Sequence, residues 1–262
     1  VGNNQEGKQE VKALFNGVGV FDGPKPVRLL YTLLTIGNLS KGDIVLDFFS
    51  GSSSTAHAAM KLNAEDGGNR KFIMVQIPEE TPEDSEARKA GYNTIPEIAR
   101  ERIRRAGKKI KEESPLTTAD LDTGFRAFRL DEGNYEDVKR SPKEFKQDQL
   151  DLFLNNIKAD RNDLDLLFGC MLDWGVQLSL PMNQEVVDGK TIYTVNDGDL
   201  VACFAENVSE DVVKAMAEKM PLRVIFRDSC FAQDADKINI YETFKQKLDW
   251  SDQEVVKNIR VI

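Results

Sequence analysis

The segment over residues 45–55 constrains the fold of this chain more than any other. Its sequence is Val-Leu-Asp-Phe-Phe-Ser-Gly-Ser-Ser-Ser-Thr, an apolar strand that breaks into a turn of small residues and continues as a helix over 55–62. A second apolar run follows at 72–77. This order predicts a βαβ unit with a parallel, buried pair of strands. Ligands of such α/β sheets bind at the carboxyl ends of the strands.

The turn over 49–55 has the composition of a small-molecule binding loop. Glycine and serine let a ligand approach the backbone closely, and the free N–H groups at a helix start attract a carboxylate or phosphate. The Lys-Ser/Thr of a phosphate-binding P-loop and the Gly-x-Gly-x-x-Gly of a dinucleotide site are both absent from this turn. Tight strand-to-helix turns also occur without any ligand, so the turn by itself leaves that alternative open.

Three segments in a fixed order resemble one class of enzymes. The turn that begins with Asp47 resembles the S-adenosylmethionine loop of amino-methylating DNA methyltransferases, usually Asp-x-Phe-x-Gly-x-Gly, with Ser53 at the third small position. Phe21 and a Pro-Lys-Pro segment at 24–26 precede the loop, and Val-Gln-Ile-Pro-Glu at 75–79 follows it. This order resembles the class in which the catalytic half of the domain comes earlier in the chain.

More narrowly, the chain resembles the modification subunit of Type III restriction-modification systems from about Lys8 to its end. The segments that carry this resemblance are 75–79, 91–98, 101–110, 226–229 and 236–239. The resemblance implies a partial Rossmann-like, S-adenosylmethionine-dependent methyltransferase sheet and a DNA adenine-N6 methyltransferase. It implies three partners for the complete subunit, namely DNA, a second modification subunit and the restriction subunit.

One part of that family's chemistry is absent from these 262 residues. The family orients the target adenine with an Asp/Asn-Pro-Pro-Tyr/Phe tetrapeptide upstream of the Pro-Lys-Pro segment, and none of the nine prolines here follows another. We therefore expect the C-terminal portion of a longer subunit, with the cofactor half, no catalytic residue and no activity of its own. The alternative is a noncatalytic assembly module whose turn no longer binds cofactor, and Ser53 and Gln76 keep it open.

The resemblance also implies which residues bind the cofactor. Asp47 and the turn hold the methionine moiety, the Pro-Lys-Pro turn flanks it, and Gln76 stands where relatives place an acid on the ribose. The expected cofactor-binding residues are Phe21, Pro24, Lys25, Pro26, Asp47, Phe49, Ser50, Gly51, Ser52, Ser53, Ser54, Thr55 and Gln76. From the residues alone, Asp47 can also be a turn-capping carboxylate, Gln76 a surface strand end and Phe21 ordinary core.

A long amphipathic helix is predicted at 94–111. Thr94 and Glu97 form a capping-box pattern, and apolar residues recur on one face. The other face is expected to carry the cations Arg100, Arg102, Arg104, Arg105, Lys108, Lys109 and Lys111. Arg100, Arg104 and Lys108 are candidates for DNA contact, with a merely solvated face as the alternative.

Length and charge set the domain expectations. A 262-residue chain that is 40% hydrophobic can bury two cores. We expect the cofactor-binding part of a methyltransferase domain at 1–135, a linker at 136–150 and a smaller α+β assembly domain, with a three-stranded meander, at 151–262. The net charge of −9 argues against nonspecific duplex binding, which depends on Lys and Arg.

The remaining features give mostly negative expectations. Three widely spaced cysteines suggest neither a disulfide framework nor a zinc site, and the single histidine, His57, is expected to be a structural or surface residue. Without a run of about 18 apolar residues or a signal peptide, we expect a cytoplasmic protein that does not enter a membrane. The polar residues 1–8 are expected to be frayed.

Overall fold

The computed structural model describes residues 2–136, 156–231 and 233–262. Helices and strands are mixed and the strands form two sheets, which confirms the expected α/β class. The chain divides into two compact units, Val1–Phe128 and Arg129–Ile262. Apart from Glu136, the expected linker 136–150 lies outside the described residues, and the domain limits given above stay predictions.

The first unit is built around a two-stranded parallel sheet. Its elements in order are α1 (Asn4–Leu14), α2 (Val27–Ile36), β1 (Ile44–Asp47), α3 (Ser54–Asp66), β2 (Lys71–Met74), α4 (Glu86–Lys89) and α5 (Ile95–Glu113). The two strands pair from Ile44 opposite Lys71 to Asp47 opposite Met74. The predicted βαβ unit is therefore confirmed, with α3 about a turn longer than expected and both strands shorter.

Small side chains let α3 pack between its neighbours. Ala58 and Ala59 are fully buried in one cluster with residues of α2 and with Val45 of β1. Ala56, equally buried, belongs to a second cluster that includes Ile103 of α5. Alanines on two sides of one helix allow close approach of both neighbouring helices, and this packing fixes the start of α3 relative to the sheet.

The other face of this sheet is open to solvent. Successive side chains of a strand point to opposite faces, and Val45 is buried whereas Leu46 is 59% exposed. The exposed apolar residues on and just after the two strands are Ile44, Leu46, Phe48, Phe49, Ile73, Val75 and Ile77. Parallel strands are normally covered on both faces, so the first unit presents an unusually apolar surface here.

Helix α1 and its cap show that the expectation of a frayed segment is wrong for residues 3–8. The Asn3 side chain accepts a hydrogen bond from the Glu6 N–H and caps the helix. Gly7 is buried, and a Cβ atom there would collide with the carbonyl oxygen of Pro24. The polar composition was misleading because the buried face of α1 begins only at Gly7 and continues through Val11 and Leu14.

The second unit contains a five-stranded sheet in the order β3-β4-β5-β6-β7. Its elements are α6 (Asp163–Asp173), β3 (Met182–Val187), β4 (Lys190–Val195), β5 (Leu200–Cys203), α7 (Glu210–Glu218), β6 (Val224–Phe226), α8 (Asp234–Leu248), α9 (Asp252–Asn258) and β7 (Ile259–Val261). The first three strands are antiparallel, as predicted for a meander, and β5, β6 and β7 run parallel. The sequence did not predict α8, α9 or β7.

Two cores cover this second sheet. One packs residues of α7, α8 and α9 against it, with Phe226 and Phe244 fully buried. The other packs α6 against strand residues such as Leu200 and Ile225. Within the described ranges, no helix of either unit is long and apolar enough to cross a membrane.

Candidate functional site

The turn between β1 and α3 lies at the carboxyl ends of both strands and continues their ladder. The Ser50 N–H donates to the Val75 carbonyl at 3.2 Å, and the Val75 N–H donates to the Asp47 carbonyl at 2.8 Å. Gly51 and Ser53 have φ values of +50° and +58°, in the left-handed region that favours glycine. Ser53 directly precedes α3, so the turn presents backbone N–H groups at a helix start, as anion binding requires.

The Asp47 carboxylate is bonded inside this turn. Its Oδ2 atom accepts a hydrogen bond from the Thr55 hydroxyl at 2.6 Å, and its Oδ1 atom accepts from the Phe49 N–H at 3.2 Å. These contacts are those of a turn-capping carboxylate. Each oxygen keeps a further lone pair, and contact of Asp47 with a cofactor ammonium stays a prediction.

Gln76 is also attached to the turn. Its Oε1 atom accepts from the Gly51 N–H at 2.7 Å, and its Nε2 atom donates to the Ile77 carbonyl at 3.3 Å. The side chain thus ties the end of the second strand to the left-handed residue of the turn. Binding of a ribose hydroxyl by this amide stays a prediction.

Phe21 lies on the other side of the turn. A Cβ atom added to Gly51 would be 3.3 Å from Cζ of the Phe21 ring, so the ring packs against the glycine. Pro24 and Pro26 are buried and Lys25 is exposed. The structure therefore brings Phe21, Gly51 and Gln76 together around one turn, as the sequence predicted for the two flanking segments.

Arg102 contradicts the sequence-based placement of all the α5 cations on one solvated face. It is 0% exposed, and its Nη1 atom donates to the Ser52 hydroxyl at 2.8 Å. The helical spacing already indicated that Arg102 is buried, because residue 102 lies three positions after Ala99 and four before Ala106, within the apolar stripe. The turn residues Ser52, Ser53 and Ser54 are likewise buried.

The buried side of the turn is positively charged. Burial lowers the pKa of Arg102 to about 10, opposed by the nearby carboxylate of Glu10, so the guanidinium is charged at neutral pH. Burial, followed by the charges of Arg102, Lys109 and Lys61, lowers the pKa of His57 to about 3. His57 is therefore neutral near pH 7 and adds no charge there.

The exposed cations of α5 mostly pair with glutamates of their own helix. Arg104 lies 3.5 Å from Glu101, and Lys108 lies 3.7 Å from Glu112. Exposed pairs of this kind are typical of a solvated helix face. Contact of Arg100, Arg104 or Lys108 with DNA stays a prediction.

Comparison with known proteins identifies the relatives of this site. Residues 2–87 match the family model for DNA methylases. The chain is 49% identical over 130 residues to the Type III restriction-modification enzyme StyLTI Mod subunit of Salmonella typhimurium. This match covers 50% of this chain and 19% of that protein. The chain is 30% identical over 252 residues to the EcoP15I Mod subunit of Escherichia coli. This match covers 90% of this chain and 35% of that protein.

The resemblance to Type III modification subunits is confirmed. A further relative is the Type II methyltransferase M.KpnI of Klebsiella pneumoniae, 39% identical over 95 residues, which are 36% of this chain and 22% of that protein. The chain spans 19% of the length of the StyLTI Mod subunit and 35% of the length of the EcoP15I Mod subunit. The DNA methylase match encloses Phe21, the turn and Gln76, whereas Arg102 lies beyond it.

Proposed function

We propose that this chain contains the S-adenosylmethionine site and the C-terminal part of a Type III modification subunit that methylates adenine N6 in DNA. The observation that carries the proposal is the turn after β1, with Gly51 in a left-handed conformation against the Phe21 ring, inside the segment matched to DNA methylases. The assignment of individual residues to the cofactor is part of the proposal.

The residues present fit the chemistry of this cofactor, which supplies the reactive methyl group when bound. Backbone N–H groups at the start of α3 suit a carboxylate, and the remaining lone pairs of Asp47 suit an ammonium. The Gln76 amide suits ribose hydroxyls, and Phe49, which is 79% exposed, offers an apolar surface beside the turn. The chain itself would bind and orient the cofactor and help to exclude water.

Methyl transfer is proposed for the complete subunit. The target adenine has to leave the duplex before its amine can reach a reactive methyl group, and the tetrapeptide that orients this amine in the family does not occur in these 262 residues. We infer that further protein covers the open apolar face of β1 and β2. DNA, a second modification subunit and the restriction subunit are the proposed partners, with the second unit serving assembly.

The alternative function is a noncatalytic assembly module. Two observations favour it, namely the exposed apolar face of the first sheet and the engagement of the Asp47 and Gln76 side chains within the turn. Such a module would associate with other subunits and would not bind S-adenosylmethionine.

Titration calorimetry separates the two functions. The 262-residue chain should bind S-adenosylmethionine or S-adenosylhomocysteine, and Asp47→Ala should weaken binding by about 1–3 kcal/mol if Asp47 contacts the ammonium. The chain alone should transfer no labelled methyl group to DNA, because the positioning of the amine is missing. An absence of binding supports the assembly module, and an unchanged affinity of the Asp47→Ala variant contradicts the role of Asp47.

A further inference from the structure

An ion pair between the buried Arg102 and the partly exposed Glu10 joins two segments of the proposed cofactor site. The Glu10 Oε2 atom accepts a hydrogen bond from the Val27 N–H at 2.9 Å, directly after the Pro-Lys-Pro segment. The same atom lies 3.8 Å from Nη2 of Arg102, whose Nη1 atom donates to the Ser52 hydroxyl at 2.8 Å. A continuous set of contacts therefore runs from the start of α2 through Glu10 and Arg102 to the turn.

Packing alone does not explain an arginine at position 102. The side chain is 0% exposed, and its Nε and Nη2 atoms have no hydrogen-bond partner among the described residues. Glu10 lies beyond hydrogen-bonding distance and is itself partly exposed. A buried charge with incomplete pairing is costly, and an apolar residue of similar volume often gives equal or greater stability.

The position of this charge is the second relevant observation. Arg102 contacts Ser52, two residues before the start of α3, where the helix dipole already favours negative charge. A second positive group on the buried side of the turn strengthens the attraction for a carboxylate, because screening by water is weak there. The guanidinium itself is enclosed, so it acts on a ligand through Ser52 and through its field.

We propose that Arg102 and Glu10 are positioning residues for the amino-acid end of S-adenosylmethionine. Arg102 holds the Ser52 side of the turn and supplies positive potential, and Glu10 fixes Arg102 relative to the Pro-Lys-Pro segment. This inference rests on the proposed function, and it concerns a residue of α5 that lies outside the DNA methylase match.

The test compares two nucleosides that differ in their amino-acid end. S-adenosylhomocysteine carries the carboxylate and the ammonium, whereas 5′-methylthioadenosine lacks both. For Arg102→Met in the 262-residue chain, we expect S-adenosylhomocysteine to bind roughly tenfold more weakly or worse, as for loss of one charge-assisted hydrogen bond. The affinity for 5′-methylthioadenosine should change by less than about twofold, since the adenosine end is untouched.

A matched control removes a different charge from the same helix. Lys109 is about half exposed and pairs with Glu113 at 3.6 Å, so Lys109→Met should leave both affinities within about twofold. Arg102→Lys should restore part of the affinity for S-adenosylhomocysteine, because it keeps the charge but loses the planar fork of donors.

Other outcomes overturn the proposal. Equal weakening of both nucleosides by Arg102→Met would show a general structural role, and unchanged binding would show no role at all. If Arg102→Met does not fold, as judged by circular dichroism, Ser52→Ala replaces it and should weaken S-adenosylhomocysteine selectively; no such selectivity overturns the proposal. If the wild-type chain binds neither nucleoside, the proposed function itself is contradicted. That result is distinguishable from the outcomes above, in which the wild type binds and only the effect of the variant differs.

Discussion

His57 should make the first unit lose stability as the pH falls from 6.5 to 5.0. It is the only histidine of the chain and lies in the first turn of α3, where its buried Nδ1 atom has no hydrogen-bond partner in the described part of the chain. Burial and the charges of Arg102, Lys109 and Lys61 hold its pKa at about 3 in the folded chain, against 6.5 for an unperturbed histidine.

The sign of the effect follows from these two pKa values. The folded chain keeps His57 neutral, whereas the unfolded chain takes up a proton as the pH falls below 6.5, so protons favour the unfolded state. The stabilising contribution is present above pH 6.5 and is lost as the pH falls towards 3. Between pH 6.5 and 5.0 the free energy of unfolding should decrease by about 1–2 kcal/mol from this group alone.

Urea unfolding of the wild type and of His57→Gln, followed by far-UV circular dichroism at both pH values, measures this loss. Glutamine stays neutral, so the variant should lose about 1–2 kcal/mol less than the wild type over this range. Trp174 and Trp250 both lie in the second unit, and tryptophan fluorescence therefore gives an internal control that should not distinguish the two proteins. Identical pH dependence in both proteins, or an imidazole NMR titration near pH 6.5 in the folded chain, would refute the reasoning.

Two further predictions concern the turn and the second unit. Gly51→Ala should lower the free energy of unfolding by about 1–2 kcal/mol, because the φ of Gly51 is +50°. It should also weaken S-adenosylhomocysteine binding, because the new Cβ would lie 3.3 Å from Phe21. The control Gly67→Ala, with a φ of +65° and no atom within 4 Å of its Cβ, should lower stability similarly without affecting binding. Equal binding losses in both variants would contradict the role of the Phe21 contact. Deletion of residues 151–262 from the complete subunit should abolish complex formation in light scattering and leave S-adenosylmethionine binding largely intact; assembly that survives the deletion would argue against an assembly domain.

The local patterns of the sequence determined the elements around the turn. An apolar run, a Gly/Ser turn and a helical segment predict a strand, a tight turn and a helix in that order, and the structure confirms the strand as β1 and the helix as α3. At α5 the pattern of Thr94 and Glu97 predicted the helix start, where the Glu97 carboxylate accepts from the Asn93 N–H at 2.6 Å and from the Thr94 N–H at 3.4 Å. The three-stranded meander expected within 151–262 is likewise confirmed as β3, β4 and β5, because hairpin turns are set by neighbouring residues.

The ordered motifs around Asp47 also predicted the resemblance to Type III modification subunits, which the comparisons confirm. Only the tertiary structure decided how the turn is held. Asp47 contacts Thr55, eight residues away in the same strand–turn–helix segment, and the local sequence can predict such a contact. Gln76 contacts Gly51, 25 residues away, and the local sequence does not predict that contact. Arg102 reaches Ser52 across 50 residues; the helical spacing places Arg102 in the apolar stripe, but no local pattern shows that Ser52 is its partner.

The same physical reason accounts for the other differences. Helix α1 begins in polar sequence, and its stability depends on the close approach of Gly7 to Pro24, a contact between segments 17 residues apart. Strand β7 has only three residues and pairs with β6 from 35 positions away, so its strand character comes from its partner. The sequence by itself determined the elements whose energy comes from near neighbours, and the tertiary structure decided the partner of Arg102, the open face of the first sheet and the contact between Gly7 and Pro24.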